Sequence, residues 1–297
     1  MPDAKRTSPA DPQVLAFFQQ ELARTAGLPG LAAAGPALWP RFAGCYQGLT
    51  RLPRRLRRAL QRRWRRSLGG IALLCALGQA PALAATIAVG GSCTLVDAIT
   101  AANNNAPTGG CAAGSEADTI ALPPRSTHTL TAVNDFTYGF TGLPVISSVI
   151  TIDGGSLGSA IARDITAPLF GILAVGATGN LILQQTIISG GAGVNGGGIY
   201  NRGTLTLDSS FVSGNSAVSG NSSNSLGGGI DNAGTLTLTN STVSGNTART
   251  AGGGISNRGT LTLDLSTVSG NSAAYVGGGI FINRNATLTL TNSTRLG

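Results

Sequence analysis

Apolar and polar residues alternate strictly in four short runs that all read T-L-T-L: Thr204 to Leu207, Thr235 to Leu238, Thr260 to Leu263 and Thr287 to Leu290. A period of two places Leu on one face of an extended strand and Thr on the other. G-G-G-I precedes each run, at Gly196 to Ile199, Gly227 to Ile230, Gly252 to Ile255 and Gly277 to Ile280, and three of the four units then reach V-S-G-N. The Ile-to-Ile steps are 31, 25 and 25 residues, so the unit is 25 residues long, with one insertion of six around Ser219 to Asn224. A period in this range means stacked supersecondary units, not a single globular core.

No helical spacing occurs within the unit, and its apolar and Thr residues are strand formers. Gly triplets and Gly-Asn pairs separate three short runs, supplying the turn chemistry needed where the backbone visits positive φ. The pattern predicts an all-β, right-handed parallel β-helix with three strands and three turns per coil. Leu205, Leu236, Leu261 and Leu288 should stack inside with Leu207, Leu238, Leu263 and Leu290 and with Val212, Val243 and Val268, at the roughly 4.8 Å spacing of paired strands. Asn215, Asn246 and Asn271 should form a structural ladder at one turn, each amide satisfying turn backbone and the next amide.

The repeat starts before its first G-G-G-I. Asn180 to Gly191 matches the T-L-T-L to V-S-G-N half of the unit, and Ser148 to Gly155 is a more degenerate copy. Residues 141–297 are therefore expected to be parallel β-helix repeats, and Thr291 to Gly297 stops partway through a unit. Since an uncapped end exposes unpaired strand groups, the expectation is that the chain is incomplete at its C-terminus.

Charge divides the chain. Of 20 Lys and Arg, 13 precede residue 67, whereas from residue 67 onward seven Arg face nine Asp or Glu, so that part carries 7 − 9 = −2. A polybasic stretch can be a nucleic-acid patch, but this one leads directly into the apolar run Ile71 to Leu83 and Ala82-Leu83-Ala84. Basic, apolar and A-x-A segments in that order read as a secretory signal cleaved after Ala84. The expected divisions are a basic extension at 1–66, the apolar region and cleavage site marked by Ala82 and Ala84 at 67–84, and a cap at 85–140. The apolar run is interrupted by Pro81 and falls short of the about 20 residues a transmembrane helix needs. Leu74 stands before Cys75 where a lipid-anchor site wants a small residue. Asp11 to Ala26 has the spacing of a helix, unusual in a signal, so the signal is extended or translation starts downstream.

The mature part keeps Cys93 and Cys111. In an oxidising compartment such a pair reads as a disulfide, contributing on the order of 3 kcal/mol for a loop of this size. Metal binding is the weaker reading, because the only His, His128, stands alone. Thr94 and Asp97 approximate a capping box, and Leu95, Ile99 and Ala102 share one face of a short helix that could cover the first coil. Ile120, Leu122 and Leu130 would lie in strands beneath it.

The order Cys93-Thr94-Leu95-Val96-Asp97-Ala98-Ile99, Ala101 to Asn105, Cys111, Asp118-Thr119-Ile120 and Gly142-Leu143-Pro144 resembles the CSLREA-type N-terminal region of bacterial surface proteins. The G-G-G-I-Y-N-R-G-T-L-T-L unit resembles polymorphic outer-membrane protein repeats and pectin-lyase-like β-helices. The resemblance spans about residues 88 to 297 and implies an exported, surface-associated protein without implying a reaction.

Three function classes follow. The first is a structural or adhesin-like protein, secreted or on the cell surface or outer membrane, with cell-surface glycans or a host or neighbouring cell as partner. It touches membrane only through export or a C-terminal anchor, and nucleic acid is not among its partners. The second is a polysaccharide lyase or glycoside hydrolase, for which Asp208 and Asp264 are the best carboxylate pair, two coils apart at the same repeat position. A solvated turn position that drifts between Asp and Thr explains them more simply, so no catalytic residue is assigned. The third uses the outward Thr204, Thr206, Thr235, Thr237, Thr260, Thr262, Thr287 and Thr289 to bind ice or glycan, although Thr is also simply the best polar strand former. Asn201-Arg202, Asn257-Arg258 and Asn283-Arg284 recur on one edge with Asp231 nearby, and would bind an acidic glycan or merely keep the edge soluble. Tyr200 and Phe281 share one repeat position, but Asp231 and Ser256 interrupt it. No cofactor or metal is implied.

Overall fold

The computed structural model describes residues 84–218 and 225–295, all within one compact unit, Ala82–Gly297. The basic and apolar segments, Ala82 and the Ser219 to Asn224 insertion lie outside the described residues. The architecture of the described residues is the expected one: an all-β parallel β-helix of about five turns with one short helix among them, consistent with a right-handed coil.

Alternation places each T-L-T-L run in an eight-stranded parallel sheet that begins at Ala85–Ala88 and ends at Thr287–Thr291. Its register is strict: Leu205 pairs with Leu236, Leu236 with Leu261, and Leu261 with Leu288. A seven-stranded sheet carries the V-S runs from Thr127–Leu130 to Thr294–Arg295. The third face holds five strands from Leu173–Val175 to Ile280–Ile282, here termed the I-x-N sheet. One refinement to the three-strand coil is a short fourth strand, Ser216–Ala217, Thr247–Ala248 and Ser272–Ala273. It forms because the chain stays extended after the Asn turn long enough to pair with the neighbouring coil.

The T-L-T-L sheet reaches back to Ala85–Ala88, which pairs with Ala117–Ala121, so sheet structure starts well ahead of residue 141. These early strands lack the repeat motif and are recruited by register alone. The one helix among the described residues, α1 (Leu95–Asn104), covers that end. Thr94 caps it by accepting from the Asp97 backbone N–H at 3.1 Å while its hydroxyl donates to the Asp97 carboxylate at 2.7 Å. Leu95, Ala98, Ile99, Ala101 and Ala102 form its buried face. Cys93 and Cys111 are disulfide-bonded, with Cα atoms 4.6 Å apart, tying the helix start to the loop that leaves it.

The Gly triplets have separate jobs. Gly227 adopts φ 66°, the left-handed region that L side chains avoid. Gly228 is needed for proximity, since a Cβ there would collide with the carbonyl oxygens of Thr247 and Gly253.

The core is a set of aliphatic columns, with Leu205, Leu207, Leu236, Leu238, Leu261, Leu263, Val212, Val243 and Val268 fully buried. Ile120, Leu122 and Leu130 join it from the cap side. Leu290 departs from the expected interior placement and is 48% exposed, and Leu288 is only partly buried. No described coil lies beyond them to complete their column.

Candidate functional site

Three corners of the coil carry a buried polar ladder. At the expected one, Asn215 Nδ2 donates to Asn246 Oδ1 at 3.0 Å and Asn246 Nδ2 to Asn271 Oδ1 at 2.9 Å. A second ladder joins Asn201, Asn232 and Asn257 through Nδ2-to-Oδ1 bonds of 2.7 Å. At the third corner the Ser241 hydroxyl accepts the Ser210 backbone N–H and the Ser266 hydroxyl accepts that of Ser241, each at 3.1 Å. The second and third escaped the sequence reading, although the signal was there: Asn201, Asn232 and Asn257, and Ser210, Ser241 and Ser266, each hold one repeat position. These amides and hydroxyls satisfy turn backbone that would otherwise be buried unpaired, so their role is structural.

The Thr pairs do lie outward and in register, Thr204 with Thr235, Thr260 and Thr287, and Thr206 with Thr237, Thr262 and Thr289. Beyond these four coils the ranks break, because Asn180 pairs with Thr204 and Ile182 with Thr206. Asp208 and Asp264 each pair with Thr239 between them. Asp208 is engaged by Ser209 Oγ at 3.0 Å and Gln184 Nε2 at 3.5 Å.

The unusual chemistry lies on the outer face of the I-x-N sheet. Strand pairing sets Tyr200, Asp231, Ser256 and Phe281 side by side, one per coil. One position further along, backbone bonds from Arg202 to Val175, Ala233 to Asn201 and Arg258 to Asn232 align Arg202, Ala233 and Arg258. Arg258 Nη2 reaches back one coil to donate to Asp231 Oδ2 at 2.7 Å, with the Arg side chain 34% exposed and the Asp fully buried. The edge charge at Arg258 is therefore committed to an ion pair.

Asp231 Oδ1 and Ser256 Oγ are both buried and adjoin each other without reaching full hydrogen-bond geometry. Burial pushes the Asp231 carboxyl up to about 6, against the opposing pull of Arg258 and, more weakly, of the Ser256 hydroxyl. Burial also works against the charge on Arg258, yet Asp231 and then Tyr200 outweigh it and raise its pKa. A buried carboxylate with one oxygen short of a full hydrogen bond is an expensive arrangement, and the ladders give it no structural excuse. A buried group perturbed by desolvation and a specific charge partner is a candidate functional position.

No family model, curated protein or solved structure matches this chain.

The row continues toward the cap. Arg202 lies over the Tyr138 ring, 5.0 Å from its centroid, and Tyr138 meets Tyr200 edge-on at 6.0 Å. Tyr138 also walls an open pocket of about 470 Å³ together with Thr100, Asn104, Asp135, Thr137 and Thr178. Asn103 of α1 fixes this loop by donating to the Val145 carbonyl at 2.7 Å and accepting from the Ser147 N–H at 2.9 Å. The repeat already puts Tyr200, Asp231, Ser256 and Phe281 at one position and Arg202 and Arg258 on the neighbouring edge; what the structure adds is the Arg258–Asp231 ion pair and the place of Tyr138 beside them. Among the described residues no group of three or more His, Cys, Asp or Glu is placed to hold a metal ion. None of their helices is long and apolar enough to cross a membrane.

Proposed function

We propose that this chain is an exported β-helix displayed outside the cell in a structural or adhesive role, not a polysaccharide-degrading enzyme. The observation that carries the reading is the Cys93–Cys111 disulfide at the cap, since such bonds persist in oxidising compartments and are rare in the cytosol. The order of basic run, apolar run and A-x-A motif before it agrees with export. The likeness of the cap and repeats to CSLREA-type and polymorphic outer-membrane surface proteins supports the same assignment. Three ladders that spend their polar groups on the coil's own backbone favour a rigid rod, which suits display.

The test is fractionation of cells producing the full chain. Surface or medium material should begin near Ala85 and label at neither Cys93 nor Cys111, and it should release no reducing ends or unsaturated products from a panel of polysaccharides. Cytosolic protein beginning near Met1 with two reactive thiols would overturn export, and cleavage of any polysaccharide would replace the adhesive reading with an enzymatic one.

A further inference from the structure

We propose that the outer face of the I-x-N sheet is a binding strip for a polysaccharide bearing a carboxylate on every second sugar, and that Asp231 gates it by holding Arg258. The proposal deepens the surface-display reading, yet it is measured on purified protein and so stands or falls apart from export.

Spacing selects the ligand. Arg202 and Arg258 stand on alternate coils with Ala233 between them, which puts their backbones about 9.6 Å apart, twice the inter-strand spacing, a spacing the Arg258 guanidinium can match only when it is released from Asp231 on the intervening coil. This spacing is about the length of a disaccharide in an extended glycan, so charges on alternate sugars would meet successive arginines. Aromatic rings accompany the arginines at Tyr138 and Tyr200, with Phe281 at the far end of the row, and such rings offer flat apolar faces to sugar C–H groups.

The gate rests on the Asp231 carboxylate and its two neighbours. Asp231 Oδ2 holds Arg258, while the buried Oδ1 adjoins the Ser256 hydroxyl, which favours the ionised carboxylate without reaching full hydrogen-bond geometry. A proton taken from solvent onto Oδ1 gives Asp231 a donor toward that hydroxyl and removes the negative charge facing Arg258. The guanidinium, one-third exposed, is then free to make a paired, charge-assisted contact with a ligand carboxylate. Ligand carboxylates ionise well below the pH at which this occurs, so the ligand stays charged while the gate opens. Among the described residues the titratable and charged groups facing Asp231 are Arg258 from the following coil and Tyr200 from the preceding one, with Arg202 and Tyr138 beyond Tyr200.

Titration calorimetry of the full chain with a hyaluronan decasaccharide tests this, at about pH 5 and about pH 7.5 on either side of the gate. Binding should be about tenfold tighter at the lower pH, a difference of about 1.4 kcal/mol. Asp231→Asn should bind tightly at both values, and Arg258→Gln and Arg202→Gln should each lose about tenfold. Should Arg258→Gln fail to fold with Asp231 left alone, the double variant Asp231→Asn, Arg258→Gln leaves neither charge unpaired and must show the same loss. A neutral cello-oligosaccharide should bind no better at the lower pH. Absence of hyaluronan binding at the lower pH, a pH dependence that survives in Asp231→Asn, or undiminished binding by the double variant would overturn the proposal.

Discussion

Asn246 Nδ2 donates to Asn271 Oδ1 at 2.9 Å, and the same Asn271 oxygen accepts the Asn246 backbone N–H at 2.9 Å. One amide thus serves both the side chain and the backbone of the coil before it. Replacing Asn246 by Ala removes its Nδ2 bonds to Asn271 Oδ1 and to the Val212 carbonyl and the acceptor for the Asn215 amide and backbone N–H, and leaves its backbone N–H bond to Asn271 in place. The expected loss is about 2 to 4 kcal/mol, because several buried polar groups lose their partners together. Chemical denaturation of Asn246→Ala would check it; a loss below that of an ordinary surface change would mean that the ladder is ornamental to stability.

Leu261 sits fully buried in the middle of its column, paired in register with Leu236 and Leu288. Leu261→Ala should cost about 2 to 5 kcal/mol through lost burial and the cavity left behind. Asp208→Asn and Asp264→Asn, at partly exposed strand ends, should shift stability by no more than about 0.5 kcal/mol. Thermal melts of the three variants separate core from surface, and a Leu261→Ala protein as stable as the parent would contradict the observed register.

Leu265 holds φ 49° while 55% exposed. The same corner is occupied by Asn240 and Asn292 in the neighbouring coils, at φ 49° and 47°, and Asn tolerates the left-handed region where Leu does not. Leu265→Asn should therefore stabilise the protein by about 0.5 to 1 kcal/mol. A lowered melting temperature would show that the exposed leucine makes contacts worth more than its backbone strain.

Asp231 gives stability a pH dependence of known sign. Its carboxyl is raised from 3.8 to about 6 by burial, with Arg258 opposing. A raised folded-state value contributes stability that is fully present below about 3.8 and is lost as pH rises through about 6. Calorimetric melts across that window should show Asp231→Asn gaining on the parent as pH rises. A gap between the two proteins that stays constant with pH would mean that Asp231 is not held neutral by burial.

The sequence by itself determined the strands, the Leu and Val columns, the Asn215 ladder and the helical cap. In a solenoid the nearest tertiary neighbour of a residue is its counterpart one repeat away, so a linear period already states who stacks on whom. Where the repeat decays, that equivalence fails: Ala85–Ala88 carries no motif and becomes a strand only because Ala117–Ala121 offers it a ladder. The Asn201 and Ser210 ladders were readable as repeated polar positions, but their burial follows from the corners turning inward, which the pattern alone does not state. The Asp231 and Arg258 pair, 27 residues apart, was decided by tertiary structure. A side chain that crosses to the adjacent coil obeys the register of the sheet and the length of the arginine, and neither of those is written in the spacing of apolar and polar residues along the chain.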